Sequence, residues 1–428
     1  MSGLYAKTKA SVQVLFAFAF ILMLSGCAGG GMSGMSMPWG TNAGVVTTDK
    51  DSMPDIGWQT QGDRRELAAQ NQDFKQQAAA TPLPKVRVAL LLPLSGKNGD
   101  LGQSMLKAAQ MAMFDVGSAN FELVPRDTKS TPEGAANAAQ TAVNNHEALI
   151  LGPIFAEDLR MVRPIAQSAN IPVISFSTDW KQAGGDTYIM GFMPFAQVSR
   201  VAQYAQAKGY DHIGVFAPQT EYCDVVLSSL QRAGVNVVKV GRYSPQQSDL
   251  SQIVTDFAAT SKQESGEYQF NALMLPVGGE GLRSLMSVFA QNGVHTKNLR
   301  LLGTGLWDDP SLTRDPAVFG GWFAAPDPTL RRDFERRYSE NYGGAPPRLA
   351  SLAYDATALS AVLARIGNPG QVYSRGALTN ARGFAGIDGV FRFRSDGLTE
   401  RGLAVLEIQS GRDVVIDPAP TAFISSGS

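Results

Sequence analysis

The sequence predicts an α/β protein of two lobes, each a parallel sheet with helices on both faces, joined by crossover hinge strands. Three observations predict it. Apolar runs of strand length lack polar alternation, as strands buried on both faces do. Stretches of helical periodicity separate them, the arrangement that right-handed crossovers require. The alternation also runs through the chain twice, and 428 residues suffice for two lobes that each bury a core. Lys and Arg number 37 against 38 Asp and Glu, a formal charge of −1, which points neither to nucleic acid nor to an acidic membrane surface.

Residues 1–26 predict a signal peptide: Lys7 and Lys9 precede an apolar run from Val12 to Leu24, followed by small residues. The run is too short for a transmembrane span, which needs ~20 residues. Leu24-Ser25-Gly26-Cys27 resembles a bacterial lipobox, which implies acylation of Cys27, palmitate included, as the first residue of the mature chain. Several acyl chains at ~0.8 kcal/mol per buried CH₂ give stable attachment where one is marginal. Ala28, rather than Asp, follows the cysteine; by resemblance to Gram-negative lipoproteins this implies the outer membrane, with the chain facing the periplasm. The other cysteine, Cys223, has no partner in the mature chain and is expected to be buried and inert.

Residues 27–84 are rich in Gly, Ser, Gln and Ala and predict a flexible linker. As a coil it spans ~40 Å on average and ~190 Å when stretched. Regular structure then begins with "VRVALLLPL", "LGQSMLKAAQMAMFDVG", "FELVP", "PEGAANAAQTAVNN", "ALILG", "AEDLRMVRPIAQSAN" and "IPVIS". The second series runs from "AQVSRVAQYAQAKG" and "HIGVFAP" through "EYCDVVLSSLQRAG", "VNVVKV", "DLSQIVTDFAAT", "NALMLPV" and "EGLRSLMSVFAQNG" to "LRLLGTG". A helical hairpin and a β-hairpin-like unit follow. Neither makes a domain alone, so the chain is expected to cross back and complete each lobe: 85–195 with 325–385 as lobe 1, 196–324 with 386–418 as lobe 2, and 419–428 as a tail.

At these residues the chain resembles the type I periplasmic binding proteins of the leucine/isoleucine/valine-binding group. "VALLLPLSGKNGDLGQSMLKAAQMA", "LILGP", "NIPVISFSTD", "FERRYSENYGGAPPRLASLAYDATAL" and "GVFRFRSDGLTERGLAVLEIQSGR" are similar to its successive motifs, in its order, over roughly residues 86–415. A lipoprotein with "ALLLPLSG" opening such a domain looks most like the penicillin-binding protein activators. That resemblance implies a non-catalytic regulator that contacts a bifunctional peptidoglycan synthase. The alternative it leaves open is a solute receptor, for an amino acid or amide, of an ATP-driven importer.

For the amino-acid binders the resemblance implies a cleft ligand held by hydroxyls and backbone amides. Its candidates here are Ser95, Ser175, Ser177, Thr178, Tyr222 and Glu280. Several positions depart from the pattern. Phe155, Ala156 and Glu157 stand where one hydroxyl is expected, Asp179 stands in a threonine's place, and Cys223 replaces a glycine after Tyr222. Local chemistry also accounts for some candidates: Ser95-Gly96 is ordinary turn sequence, and Glu280 lies in a helix's first turn, where a carboxylate is favoured by ~0.3–1 kcal/mol.

Enzyme signatures are lacking. His146, His212 and His295 include no i, i+4 pair for zinc, there is no G-x-S-x-G elbow, and "LSGKNGDLG" lacks the first glycine of a P-loop. Asp308-Asp309 reads as a solvent-facing turn before proline. The basic run Arg331, Arg332, Arg336 and Arg337 reads as a solvated helix face, interleaved with Asp333 and Glu335. No cofactor or metal is expected, and membrane contact is expected through the lipid anchor alone.

Overall fold

The computed structural model describes residues 85–423, other than 295 and 369. The predicted signal and linker, Cys27 among them, lie outside the described residues. The first sheet comprises β1 (Val86–Leu92), β2 (Phe121–Asp127), β3 (Leu149–Leu151), β4 (Val173–Ser175) and β5 (Thr187–Ile189), all parallel, in the order β2-β1-β3-β4-β5. Helices α1 (Gly99–Val116), α2 (Pro132–Asn144) and α3 (Ala156–Ser168) make the first three crossovers.

Strand β1 shows why its run carries no polar alternation. Val88, Leu90 and Leu92 face one core with Met105 and Ala109 of α1. Ala89 and Leu91 face a second core with Ala135, Ala139 and Ala142 of α2 and Leu159 of α3. Alternate residues of a strand point to opposite faces, so both faces must be apolar when helices cover both. Helix α2 starts where Thr131 Oγ1 accepts from Gly134 N, with Pro132 at the first helical position. Gly102 lets α1 approach the end of β1, since a Cβ there would sit 2.1 Å from the Pro93 carbonyl oxygen.

The chain leaves this lobe after β5 and enters α4 (Pro194–Ala207). The second sheet uses β6 (His212–Pro218), β7 (Asn236–Tyr243), β8 (Ala272–Met274), β9 (Arg300–Leu302) and β10 (Trp322–Ala325), with α5 (Glu221–Arg232), α6 (Ser251–Thr260) and α7 (Gly279–Gln291) between them. Its order, β15-β14-β10-β9-β8-β6-β7, is completed by the antiparallel pair β14 (Ala404–Gln409) and β15 (Arg412–Asp417). Phe216, Leu273, Phe323 and Trp307 form the core against α6 and α7. Ile213, Val215, Met274 and Val405 form the core against α4 and α5, and Cys223 is buried among them. Burial pushes its thiol pKa up, which keeps it a thiol.

After β10 the chain returns to the first lobe as α8 (Pro328–Tyr342) and α9 (Ala350–Ile366). Phe334 and Tyr338 of α8 and Tyr354 of α9 pack on Ala108, Met111 and Ala112 of α1. Three of the four arginines in the basic run on α8 are held in ion pairs, while Arg332 is exposed and donates to Thr329 Oγ1. Arg336 pairs with Asp333 and with Glu340 at 2.9 Å, and Arg337 reaches Asp115 of α1 at 2.6 Å.

The third crossing corrects the expected lobe boundary. A three-stranded antiparallel sheet, β11 (Phe384–Gly386), β12 (Gly389–Phe393) and β13 (Thr399–Arg401), packs with lobe 1, and only β14 and β15 join lobe 2. Residues 389–401 were expected in lobe 2. Their apolar face decides the matter: Phe391 and Phe393 are fully buried in the first core, where each such side chain contributes about 1.5–3 kcal/mol. Thr399 Oγ1 donates to Ile189 O at 2.6 Å, and Arg401 Nη2 to Met190 O at 2.9 Å.

Candidate functional site

In open parallel sheets, ligands bind beyond the carboxyl ends of the strands. In lobe 1 those ends carry the loops holding Ser95, Phe155 and Ser177-Thr178-Asp179; in lobe 2 they carry Thr220-Glu221, Gly278-Gly279 and Thr304–Asp308. All six candidates therefore lie on cleft-edge segments. Their side chains have partners of their own, with one exception.

Ser95 is exposed and its hydroxyl donates to Asp127, whose Oδ1 also accepts from Leu94 N at 2.9 Å and Lys129 N at 2.7 Å. Burial works to raise the Asp127 carboxyl, but these hydrogen bonds outweigh it and hold the group below the usual carboxylate range. Ser175 is fully buried; its Oγ donates to Pro153 O at 2.9 Å and accepts from Ser177 N at 3.1 Å. Ser177 is buried too and accepts from Asp179 N at 3.0 Å. These two hydroxyls fold the loop after β4. Thr178 is exposed and has no side-chain hydrogen bond among the described residues. Tyr222 OH donates to Thr304 Oγ1 at 2.7 Å, and burial pushes its phenol up to about 12 although that bond works the other way. Glu280 is exposed and pairs with Arg283 within its own helix.

Asp179, which stands in the expected threonine's place, is turned to Gln182 Nε2 at 2.9 Å and Arg160 at 3.3 Å. Asp158, in the first turn of α3, escaped the sequence reasoning. It is buried, Oδ2 has no partner, and burial followed by the charges of Glu157 and Glu133 pushes its carboxyl up. A helical acid at a first turn looks like routine capping, so nothing in the sequence marked it.

Behind the cleft lies a charge network that the sequence did not announce. Asp308 Oδ2 accepts from Arg331 Nη1 at 2.9 Å and from Arg348 Nε at 3.2 Å. This corrects the solvent-facing turn expected there: the Asp308 side chain is only 15% exposed. Arg348 also pairs with Asp388 at 3.0 Å and lies over the Phe192 ring at 4.0 Å. Asp388 and Arg401 are buried beside Asp355 of α9, whose Oδ1 accepts from Ile387 N at 2.7 Å. Burial and then the Asp388 charge push Asp355 up to about 7. The folded chain thus holds a proton that the unfolded chain loses near pH 4. Its stabilising effect is complete below about pH 4 and is lost as pH rises toward 7. Asp355→Asn is expected to remove this slope, which is at most about 1.4 kcal/mol per pH unit, in chemical unfolding measured from pH 4.5 to 7.5. Parallel curves for variant and parent would contradict it.

A trough of about 710 Å³ runs along α5, between Trp180, Phe195, Val225 and the 394–398 turn. Its guanidiniums have partners of their own: Arg394 pairs with Asp396 at 2.6 Å, and Arg232 Nε donates to Ser228 O at 3.2 Å. Among the described residues no group of three or more His, Cys, Asp or Glu side chains is placed to hold a metal ion, and no helix is long and apolar enough to cross a membrane.

Two α/β lobes linked by three crossings, with loops converging at the strands' carboxyl ends, define a two-lobed binding protein. The profile of the family described as periplasmic binding protein matches residues 85–413, and the chain belongs to that family. The family is one of extracytoplasmic binding proteins. Among curated proteins none matches the chain. Solved structures of similar fold include a putative branched-chain amino acid ABC transporter from Rhodospirillum rubrum, at TM-score 0.67 and 18% identity, covering 78% of this chain and 100% of that one. A branched chain amino acid ABC transporter periplasmic ligand-binding protein from Burkholderia xenovorans gives 0.63 and 17%, covering 79% and 95%. LivJ from Streptococcus pneumoniae, in complex with isoleucine, gives 0.55 and 18%, covering 78% and 100%. At such identities the likeness shows the fold: the type I arrangement with parallel sheets that the sequence predicts.

Proposed function

We propose that this chain is a non-catalytic envelope protein that keeps the two-lobed receptor frame and works by contact with a protein partner, a bifunctional peptidoglycan synthase on the family resemblance. One observation carries the proposal: the hydroxyls of Ser95, Ser175 and Tyr222 already donate within the protein, and Ser177 Oγ accepts from its own loop. A site for an α-amino acid needs such groups turned to the ligand, and freeing them costs roughly 0.5–1.5 kcal/mol each. The lipobox-like segment and long linker suit a body that acts at a distance from an outer-membrane anchor at Cys27. Immobilised full-length chain is expected to retain at least one of the cell's bifunctional synthases in biolayer interferometry. Failure to retain any of them removes the proposal.

A second reading, a solute receptor for an importer, has the comparisons on its side: the family is one of binding proteins, and the fold is shared with importer components. Thr178 and Glu280 stay exposed at the cleft edges and would serve it. A solute at ~100 times its Kd stabilises a protein by ~2.7 kcal/mol. A thermal-shift screen of amino acids and amides therefore separates the readings: a flat screen counts against the receptor, and a rise with one solute supports it.

A further inference from the structure

We propose that Asp308 is a latch between the lobes, and that its ion pairs with Arg331 and Arg348 hold the lobes together against opening whether or not the cleft is filled. The inference holds under either functional reading.

Asp308 belongs to lobe 2. It follows Trp307, which is fully buried in the second core and donates from Nε1 to Val277 O at 2.9 Å, and its own N–H donates to Gly305 O. Both arginines belong to lobe 1. Arg331 lies in the first turn of α8, Arg348 just before α9, and those helices rest on α1. The carboxylate takes the Arg331 fork at 2.9 and 3.4 Å and Arg348 Nε at 3.2 Å, so three hydrogen bonds from one lobe converge on one residue of the other.

The arginines are held where they are. Arg348 is fixed by Asp388, by Ser351 Oγ at 3.0 Å and by the Phe192 ring. Arg331 is fixed by Glu335 at 3.1 Å. Opening would therefore strip Asp308 from guanidiniums that stay behind. Arg331 and Asp308 are each 15% exposed, so salt screens the pair little while the lobes are together. Among the described residues the other ion pair between cleft-edge segments, Lys181 with Glu221, is 64% and 61% exposed. A pair that open is worth little.

The same partners make the test clean. Without the Asp308 charge, Arg331 keeps Glu335 and Arg348 keeps Asp388, so Asp308→Asn leaves no arginine without a carboxylate. Two fluorophores are attached to azidophenylalanine in place of Glu133 and Ser284, exposed positions near the cleft-edge ends of α2 and α7 in the full-length chain. Single-molecule energy transfer then reads the lobe separation. Asp308→Asn is expected to raise the low-transfer, open population at least about tenfold over the parent. Arg331→Gln, which cuts the tie from the other lobe, is expected to do the same, and Glu221→Gln to change it less than about threefold. Unchanged populations in both Asp308→Asn and Arg331→Gln would overturn the latch, as would an equal rise in Glu221→Gln.

Discussion

Asp388→Ala is expected to destabilise the folded chain by about 3–5 kcal/mol, the usual effect of removing one partner from a buried ion pair. The Asp388 carboxylate is fully buried; its Oδ2 accepts from Arg348 Nη1 at 3.1 Å, and its Oδ1 lies 3.0 Å from Arg348 Nη2 as an ion pair. Burial acts to raise its pKa, but the charges of Arg348 and then Arg401 outweigh that and hold it below the usual carboxylate range. Arg401 makes the loss severe. It too is buried, its Nε and Nη1 have no hydrogen-bond partner, and its remaining contacts are Met190 O and the faces of Phe192 and Phe391. With Asp388 gone, the guanidinium would rely on Asp355 alone, a carboxyl whose charged form burial opposes. Urea unfolding followed by circular dichroism measures the change, and a loss under about 1 kcal/mol would contradict this view of the network.

Trp307→Ala is expected to cost a similar amount, about 3–5 kcal/mol, by cavity formation in lobe 2. Among the described residues Trp307 is the largest fully buried side chain, and it closes the second core beneath the cleft loop. Gly303 and Gly321 are shaped around it: a Cβ on Gly303 would lie 2.0 Å from the indole Cδ2, and one on Gly321 2.6 Å from Cζ3. Backbone so close cannot collapse inward to fill the space, which puts the cost at the high end for large-to-small changes. The orphaned Val277 carbonyl adds to it. Trp307→Phe, which keeps most of the volume, is expected to lose less than half as much in the same assay.

Much of the fold was legible because its signal is local. The apolar run at 86–92, the helical periodicity after it and the second series each state their own burial. The interleaved acids Asp333 and Glu335 likewise announce pairs with Arg336 and Arg331, because residues three and four apart on a helix are neighbours. Strand β5 went unread, since three residues between turns carry no period. The third crossing was misplaced because an alternating hairpin reads the same whichever lobe receives its apolar face. The site was harder still. Ser175 finds its acceptor at Pro153, Tyr222 at Thr304, and Asp308 its arginines at 331 and 348. Nothing near a serine or aspartate in sequence states that a distant carbonyl or guanidinium will claim it, so the family resemblance named the candidates while tertiary contacts decided their availability.

The glycan-polymerisation rate of each purified bifunctional synthase of the cell, with and without an equimolar amount of the full-length chain, tests the central proposal most directly. A rate raised at least about twofold for one synthase, and kept when free amino acids are added in excess, is the predicted result. Rates unchanged for every synthase, together with saturable amino-acid binding to the chain, would contradict it.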